Sequence, residues 1–230
     1  MHNKIEIHDY VFEFIYEMAI NDAMNRVSNS GDKRNIKKQD KIREIVKKHA
    51  EEIINGSELP IITTVKKIMD ENSKSEYKVE DLSFGKLQKL VNMTMKYLYV
   101  IYYDRFDIRR KFSNCDAPMD DAMRDFVYWS YKDRYNDPDE YKSTIGFSRY
   151  TAWSTLKIED NGEEDKQYRA FQDAVKDIIK EKCHKEYPDK SPIDPIEFDL
   201  EFWDKSKELL GKKKDDQKKA VGKIWAEFDK

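Results

Sequence analysis

Residues 82–103, LSFGKLQKLVNMTMKYLYVIYY, constrain the fold of this chain more than any other stretch. Apolar side chains occur on every face of a helix drawn through them, while Gln88, Asn92 and Lys96 recur at four-residue steps. A helix that is hydrophobic on nearly all sides belongs in the interior of a domain. Polar groups buried there need partners, because an unpaired one costs roughly 1–3 kcal/mol. The segment therefore predicts a central buried helix, about 82–103. That helix carries either a structural polar network or one wall of a functional cavity.

The rest of the composition agrees with a helical interior. Only 7 Gly and 6 Pro occur in 230 residues, and 39% of the residues are charged. Few breakers in a charge-rich chain argue for long helices and against an all-β fold, which needs many turns. The apolar fraction is low at 39%, but 4 Trp, 14 Tyr and 11 Phe offset it with large buried areas. The expected fold is all-α: one irregular helical domain over residues 1–210, built around the central helix. Residues 211–230 are expected as a C-terminal helix at its periphery.

Charge and cysteine usage exclude several function classes. The formal net charge of -3 gives no global basic field, so a nucleic-acid partner would need a local patch. Cys115 and Cys183 alone cannot build a disulfide framework or a four-cysteine zinc site. A reducing cytoplasm is the expected location. The N-terminus carries no signal-peptide pattern. Residues 90–103 are the most apolar run, but Asn92, Thr94 and Lys96 interrupt it and it is too short for a bilayer, so no membrane partner is expected.

Helical periodicity marks the remaining elements. Ile7, Tyr10, Val11, Phe14, Ile15 and Met18 predict an apolar face on a first helix, 7–27, followed by a break at Ser28–Asp32. A second helix is expected over 36–54 and a third after Pro60. Ser83 is the expected N-cap of the central helix. Further on, Asp116 should cap a helix with Pro118 in its first turn and Asp120 and Asp121 at the positive dipole end. Asn136–Asp139 and Tyr187–Pro192 read as breaks, with a short helix near Trp153 and a longer one over 164–184 between them. Asp194-Pro195-Ile196-Glu197 is a helix start signature. The last helix, 215–228, aligns Val221, Ile224, Trp225 and Phe228.

No phosphate-binding glycine loop, dinucleotide fingerprint, HExxH or GxSxG is present, and no cofactor is expected. With only His2, His8, His49 and His184, classical zinc hydrolysis and serine hydrolase chemistry are not expected. Three constellations remain. Gln88, Asn92 and Lys96, with Lys89 beside them, could present donors to an anionic ligand, or form a structural network with the lysines reaching solvent. Asp116 and Asp120 could face one metal ion, or act as cap and dipole complement. Arg43 and His49 are six positions apart, a rotation of about 240° around a regular helix. The basic run Lys212–Lys214, with Lys218, Lys219 and Lys223, reads as a solvated linker and helix face.

Two resemblances accompany these residues. The Arg43–His49 spacing resembles helical defence ribonucleases of the HEPN class, which use an arginine and a histidine a few residues apart; it implies Arg43 and His49 as catalytic candidates. Phe84-Gly85-Lys86-Leu87-Gln88-Lys89 with Asn92-Met93-Thr94 and Lys96-Tyr97-Leu98 forms one part of a second pattern. Ala117-Pro118-Met119-Asp120, Trp153-Ser154 with Tyr168 and Gln172, and Pro195 to Trp203 complete it. The pattern is similar to one in an uncharacterised group of bacterial proteins, which implies a shared helical core and no assigned activity.

The reading is a non-catalytic helical binding or interaction protein of a bacterial or phage system, such as genome defence. Its ligand would lie near Gln88, Lys89, Asn92, Lys96 and Asp120, with Trp153 or Trp203 as an apolar wall. A protein or a small anionic ligand is the expected partner. The alternative is a nucleic-acid-acting enzyme, either a ribonuclease using Arg43 and His49 or a metal-dependent nuclease using Asp116 and Asp120.

Overall fold

The few breakers punctuate a chain of helices, as the composition requires. The structure is a computed structural model, and it describes residues 4–24, 30–132, 145–183 and 193–228. Among these residues there are ten α-helices and no strand. The expected breaks at Asn136–Asp139 and Tyr187–Pro192 lie outside the described residues. The chain divides into two units, Met1–Cys115 and Asp116–Lys230. Where the sequence suggested one body ending near residue 210, the division falls at Cys115, and the C-terminal helix belongs to unit 2.

Unit 1 comprises α1 (Asp9–Ala23), α2 (Ser30–Lys37), α3 (Asp40–Ile54), α4 (Ile61–Lys74), α5 (Phe84–Ile101) and α6 (Phe106–Arg109). A 3-10 turn, Arg110–Asn114, continues α6. Part of the expected break at Ser28–Asp32 is thus helical, from Ser30 onward. The α5 helix is the predicted central element, and α1, α3 and α4 all pack on it. Leu87, Leu90, Val91, Met93, Met95, Leu98 and Tyr99 are among its buried residues. Its start is built as expected, with Ser83 Oγ accepting from the Lys86 amide at 3.2 Å.

The predicted inward face of α1 needs correction. The buried residues are Phe12, Ile15, Tyr16, Ala19, Ile20 and Ala23, whereas Tyr10 and Phe14 are 70% and 64% exposed. Tyr10 and Phe14 share the outer face with Glu13 and Glu17, so counting apolar residues alone leaves the direction open. The face carrying Ala19 and Ala23 is the smoother one, and small side chains let the helix approach α5 closely.

The connector between α4 and α5 has no helix to satisfy its backbone, and Asn72 supplies the partners. Asn72 Oδ1 accepts from the Val79 amide at 3.0 Å, and its Nδ2 donates to the Val79 carbonyl at 2.9 Å. Gln39 Nε2 donates to Asn72 Oδ1 at 3.1 Å and to the Tyr77 carbonyl at 2.9 Å.

Unit 2 comprises α7 (Asp121–Lys132), a 3-10 turn (Trp153–Thr155), α8 (Lys166–Ile178) with a π turn after it (Ile179–Cys183), α9 (Pro195–Lys207) and α10 (Lys214–Phe228). Asp194 accepts from the Glu197 amide at 2.8 Å, with Pro195 in the first turn, as the start signature predicts. Helices α8, α9 and α10 pack on α7. Phe126 of α7 stacks on Phe202 at 5.0 Å and on Trp225 at 5.6 Å. The Trp225 indole also donates to Ser130 Oγ at 2.9 Å. The C-terminal helix is therefore an integral wall of unit 2.

Replacing Asn72 by Ala should destabilise the protein by about 2–4 kcal/mol. The change strands two buried backbone groups at roughly 1–3 kcal/mol each. Urea denaturation followed by circular dichroism would measure the loss; a change under half a kcal/mol would contradict this role for Asn72.

Candidate functional site

The side chains on the exterior of α1 and α3 form a groove in unit 1. Because α1 turns its smoother face to α5, Tyr10 and Phe14 are left one turn apart on the outside. With Phe12 at its base, this pair lines a groove of about 940 Å³. Glu13 and Glu17 from α1 and Glu44 from α3 add carboxylates. Two ion pairs tie the groove's walls together: Lys47 to Asp9 at 2.6 Å and Arg43 to Glu13 at 3.0 Å. The bond to Asp9 raises the Lys47 pKa, and the same bond lowers that of Asp9. Asp9, Glu13 and Glu17 are each ion-paired, the last with Lys37, and Glu44 adds a fourth carboxylate to the lining.

The catalytic candidates part company on α3. Arg43 is ion-paired with Glu13 and, at 3.0 Å, with Asp40. His49 is buried, and its Nδ1 is hydrogen-bonded to Thr64 Oγ1 at 2.9 Å. Burial, then the nearby Lys67 charge, lowers the His49 pKa to about 4. The imidazole is neutral at physiological pH and enclosed between α3 and α4. The two residues are not brought together into one site.

The polar stripe of α5 is interior. Gln88, Asn92 and Lys96 are all buried, and Lys89 is half-buried. Asn92 Nδ2 donates to Gln88 Oε1 at 3.2 Å. Thr94 Oγ1 donates to the Leu90 carbonyl at 2.8 Å, and Lys86 Nζ donates to the Asp81 carbonyl at 2.5 Å. Asp120 and Trp153 belong to unit 2. Trp153 is buried in its 3-10 turn.

Asp116 and Asp120 exchange the roles expected of them. Asp120 is the residue that caps α7, with Oδ1 accepting from the Met123 amide at 3.0 Å. Its Oδ2 accepts from the Trp203 indole at 3.2 Å. Asp116 lies before the helix and accepts from the Tyr168 hydroxyl at 2.8 Å. Burial raises the Asp116 pKa, against the lowering effect of that bond. Each carboxylate thus has its own protein donors. Among the described residues, no three His, Cys, Asp or Glu side chains gather into a metal-holding group.

Unit 2 contains a charged cluster that periodicity did not reveal. Arg124 pairs with Asp121 at 3.1 Å and also donates to the Thr151 carbonyl. Arg149 reaches Asp125 at 3.5 Å and Gln217 Oε1 at 2.5 Å. Its guanidinium lies 5.1 Å from the Trp129 ring centre. Burial raises the Asp125 pKa despite the adjacent arginines. The cluster links α10 and the 149–151 segment to α7, while Asp125 Oδ1 and Arg149 Nε and Nη1 are buried without a hydrogen bond. Only the i,i+3 spacing of Asp121 and Arg124 hinted at it.

No protein-family model, curated protein or solved structure matches this chain.

Two outcomes follow from the titratable groups. Unfolded His49 protonates near pH 6.5 and folded His49 near 4, so the unfolded chain binds more protons between these values. Stability therefore falls as pH drops through this window, by about 2 kcal/mol on reaching about pH 5. A His49→Gln variant should show a flatter dependence in parallel urea titrations; an unchanged slope would contradict the assignment. Asp116 has its folded pKa above the unfolded value, so its ionised form costs stability as pH rises. Asp116→Asn keeps an acceptor for Tyr168, and should leave the neutral-pH Tm equal or higher. A Tm that magnesium raises in the wild type alone would instead reveal a cation site.

Proposed function

We propose that this protein is a non-catalytic binding protein, and that the groove between α1 and α3 receives a basic amphipathic helix of a protein partner. The observation that carries this reading is the outward placement of Tyr10 and Phe14, one helical turn apart and 70% and 64% exposed. Aromatic anchors supply most of the energy where one helix docks in a groove. Glu44 stands outside the Asp9–Lys47, Glu13–Arg43 and Glu17–Lys37 pairs, and this remaining carboxylate favours a partner with lysines or arginines flanking an apolar stripe. Gln88 and Asn92, hydrogen-bonded to each other and buried with Lys96, are read here as interior groups of α5, and the ligand contacts move to the groove. Arg43 held in ion pairs and His49 enclosed against Thr64 give the ribonuclease reading no support. A bacterial or phage setting, such as genome defence, rests on the sequence resemblance alone.

The test is fluorescence anisotropy with a labelled synthetic helical peptide of leucine and lysine. The wild type should bind it, and added salt should weaken binding because the charges face solvent. Tyr10→Ser with Phe14→Ser should reduce affinity at least about tenfold, equal to about 1.4 kcal/mol, with an unchanged circular dichroism spectrum. Glu44→Lys should weaken binding without touching the aromatic anchors. No binding by the wild type, or equal binding by the double variant, would sink the proposal.

A further inference from the structure

A second surface of unit 1 has the opposite electrostatics. We infer that the C-terminal end of α5 and the α6 turn form a stacking surface for single-stranded nucleic acid. This inference uses none of the groove residues and stands apart from the function proposed above.

The argument begins with the sequence Val100 to Lys111, VIYYDRFDIRRK. It holds four basic residues, Arg105, Arg109, Arg110 and Lys111, against Asp104 and Asp107. Arg105 engages Asp107 through two bonds, at 3.2 and 3.1 Å, so one of the two carboxylates is already neutralised. In a chain of net charge -3, this is a local reversal of sign.

The aromatic residues there are displayed to solvent. Tyr103 and Phe106 are 50% and 56% exposed. The Arg109 guanidinium lies 4.8 Å from the Tyr103 ring centre and 5.5 Å from that of Phe106. Three flat groups are thus gathered in one place. Tyr99, buried in α5, meets the Tyr103 ring edge-on at 6.1 Å. Ile108 and Phe112 are buried and anchor the turn. The rings are therefore held in place from beneath while their outer faces remain wet.

This combination suits one ligand chemistry. Unstacked bases stack on aromatic rings and on arginine planes, while lysine and arginine track the phosphates. A duplex already stacks its own bases and has no free face to offer. A single strand, DNA or RNA, supplies both groups.

The experiment is anisotropy with labelled oligo-dU, oligo-U and a duplex of equal length, using the full chain. Both single strands should bind at least about tenfold more tightly than the duplex if stacking dominates; a clear preference for one strand assigns the sugar. Tyr103→Ala with Phe106→Ala should cost at least about tenfold in affinity with circular dichroism unchanged. Arg110→Ala should lower the slope of log affinity against log salt by about 0.7. Tyr10→Ser with Phe14→Ser should leave single-strand binding as in the wild type, which separates this surface from the groove. The inference is overturned if the wild type binds no single strand at low salt, or if the Tyr103/Phe106 variant binds as well as the wild type. It is equally overturned if that variant's only change is the loss of self-association in sedimentation.

Discussion

A helical protein must still satisfy the backbone of every extended connector that it holds against its core. Here side-chain amides do the work that a neighbouring strand would do in a sheet. Asn72 both accepts from and donates to Val79. Asn55 does the same for Ile5, at 2.9 and 2.8 Å. Gln172 does it for Ala117, at 3.0 and 2.8 Å. In each pair one carboxamide reproduces the donor–acceptor edge of a peptide unit. At the buried pairs, loss of the carboxamide would orphan backbone groups of Val79 and Ala117 at roughly 1–3 kcal/mol each, whereas water can replace Asn55 at its exposed bonds to Ile5.

The same principle explains how α5 can be both interior and polar. Its hydrophilic side chains find acceptors close at hand: Asn92 on Gln88, Thr94 on Leu90, Lys86 on Asp81. A lysine whose ammonium caps a carbonyl loses less on burial than one facing an apolar wall. The helix packs against α1, α3 and α4, while Asn92, Thr94 and Lys86 keep their hydrogen bonds within or beside it.

Helix starts were legible because capping chemistry is local: Ser83 and Asp194 lie within three residues of the amides they bind. Asp116 misled for the same reason. Its spacing to Pro118 imitates a start, yet its carboxylate is drawn to Tyr168, distant in sequence, and Asp120 takes the cap. The face of α1 was misread because large rings occur on both of its sides, and Tyr10 and Phe14 drew the reading toward the side that also carries Glu13 and Glu17. The Arg149–Asp125–Gln217 cluster was invisible for a plainer reason: its members come together only when α7 and α10 pack. The Arg43–His49 spacing was legible as a pattern but not as a geometry, since α3 turns one residue outward and the other inward.

The two exposed surfaces of unit 1 follow from one constraint. Its core is organised around α5, and an aromatic-rich chain then leaves rings outside at Tyr10 and Phe14 and at Tyr103 and Phe106. The physical element is the same in both places, a pair of rings separated by three or four residues. What differs is the charge around it: carboxylates predominate beside the first pair, guanidinium groups beside the second. Apolar area alone would attract any hydrophobic surface without discrimination. On the two proposed assignments, the carboxylates beside Tyr10 and Phe14 disfavour a phosphate backbone, and the arginines beside Tyr103 and Phe106 disfavour a lysine-rich helix.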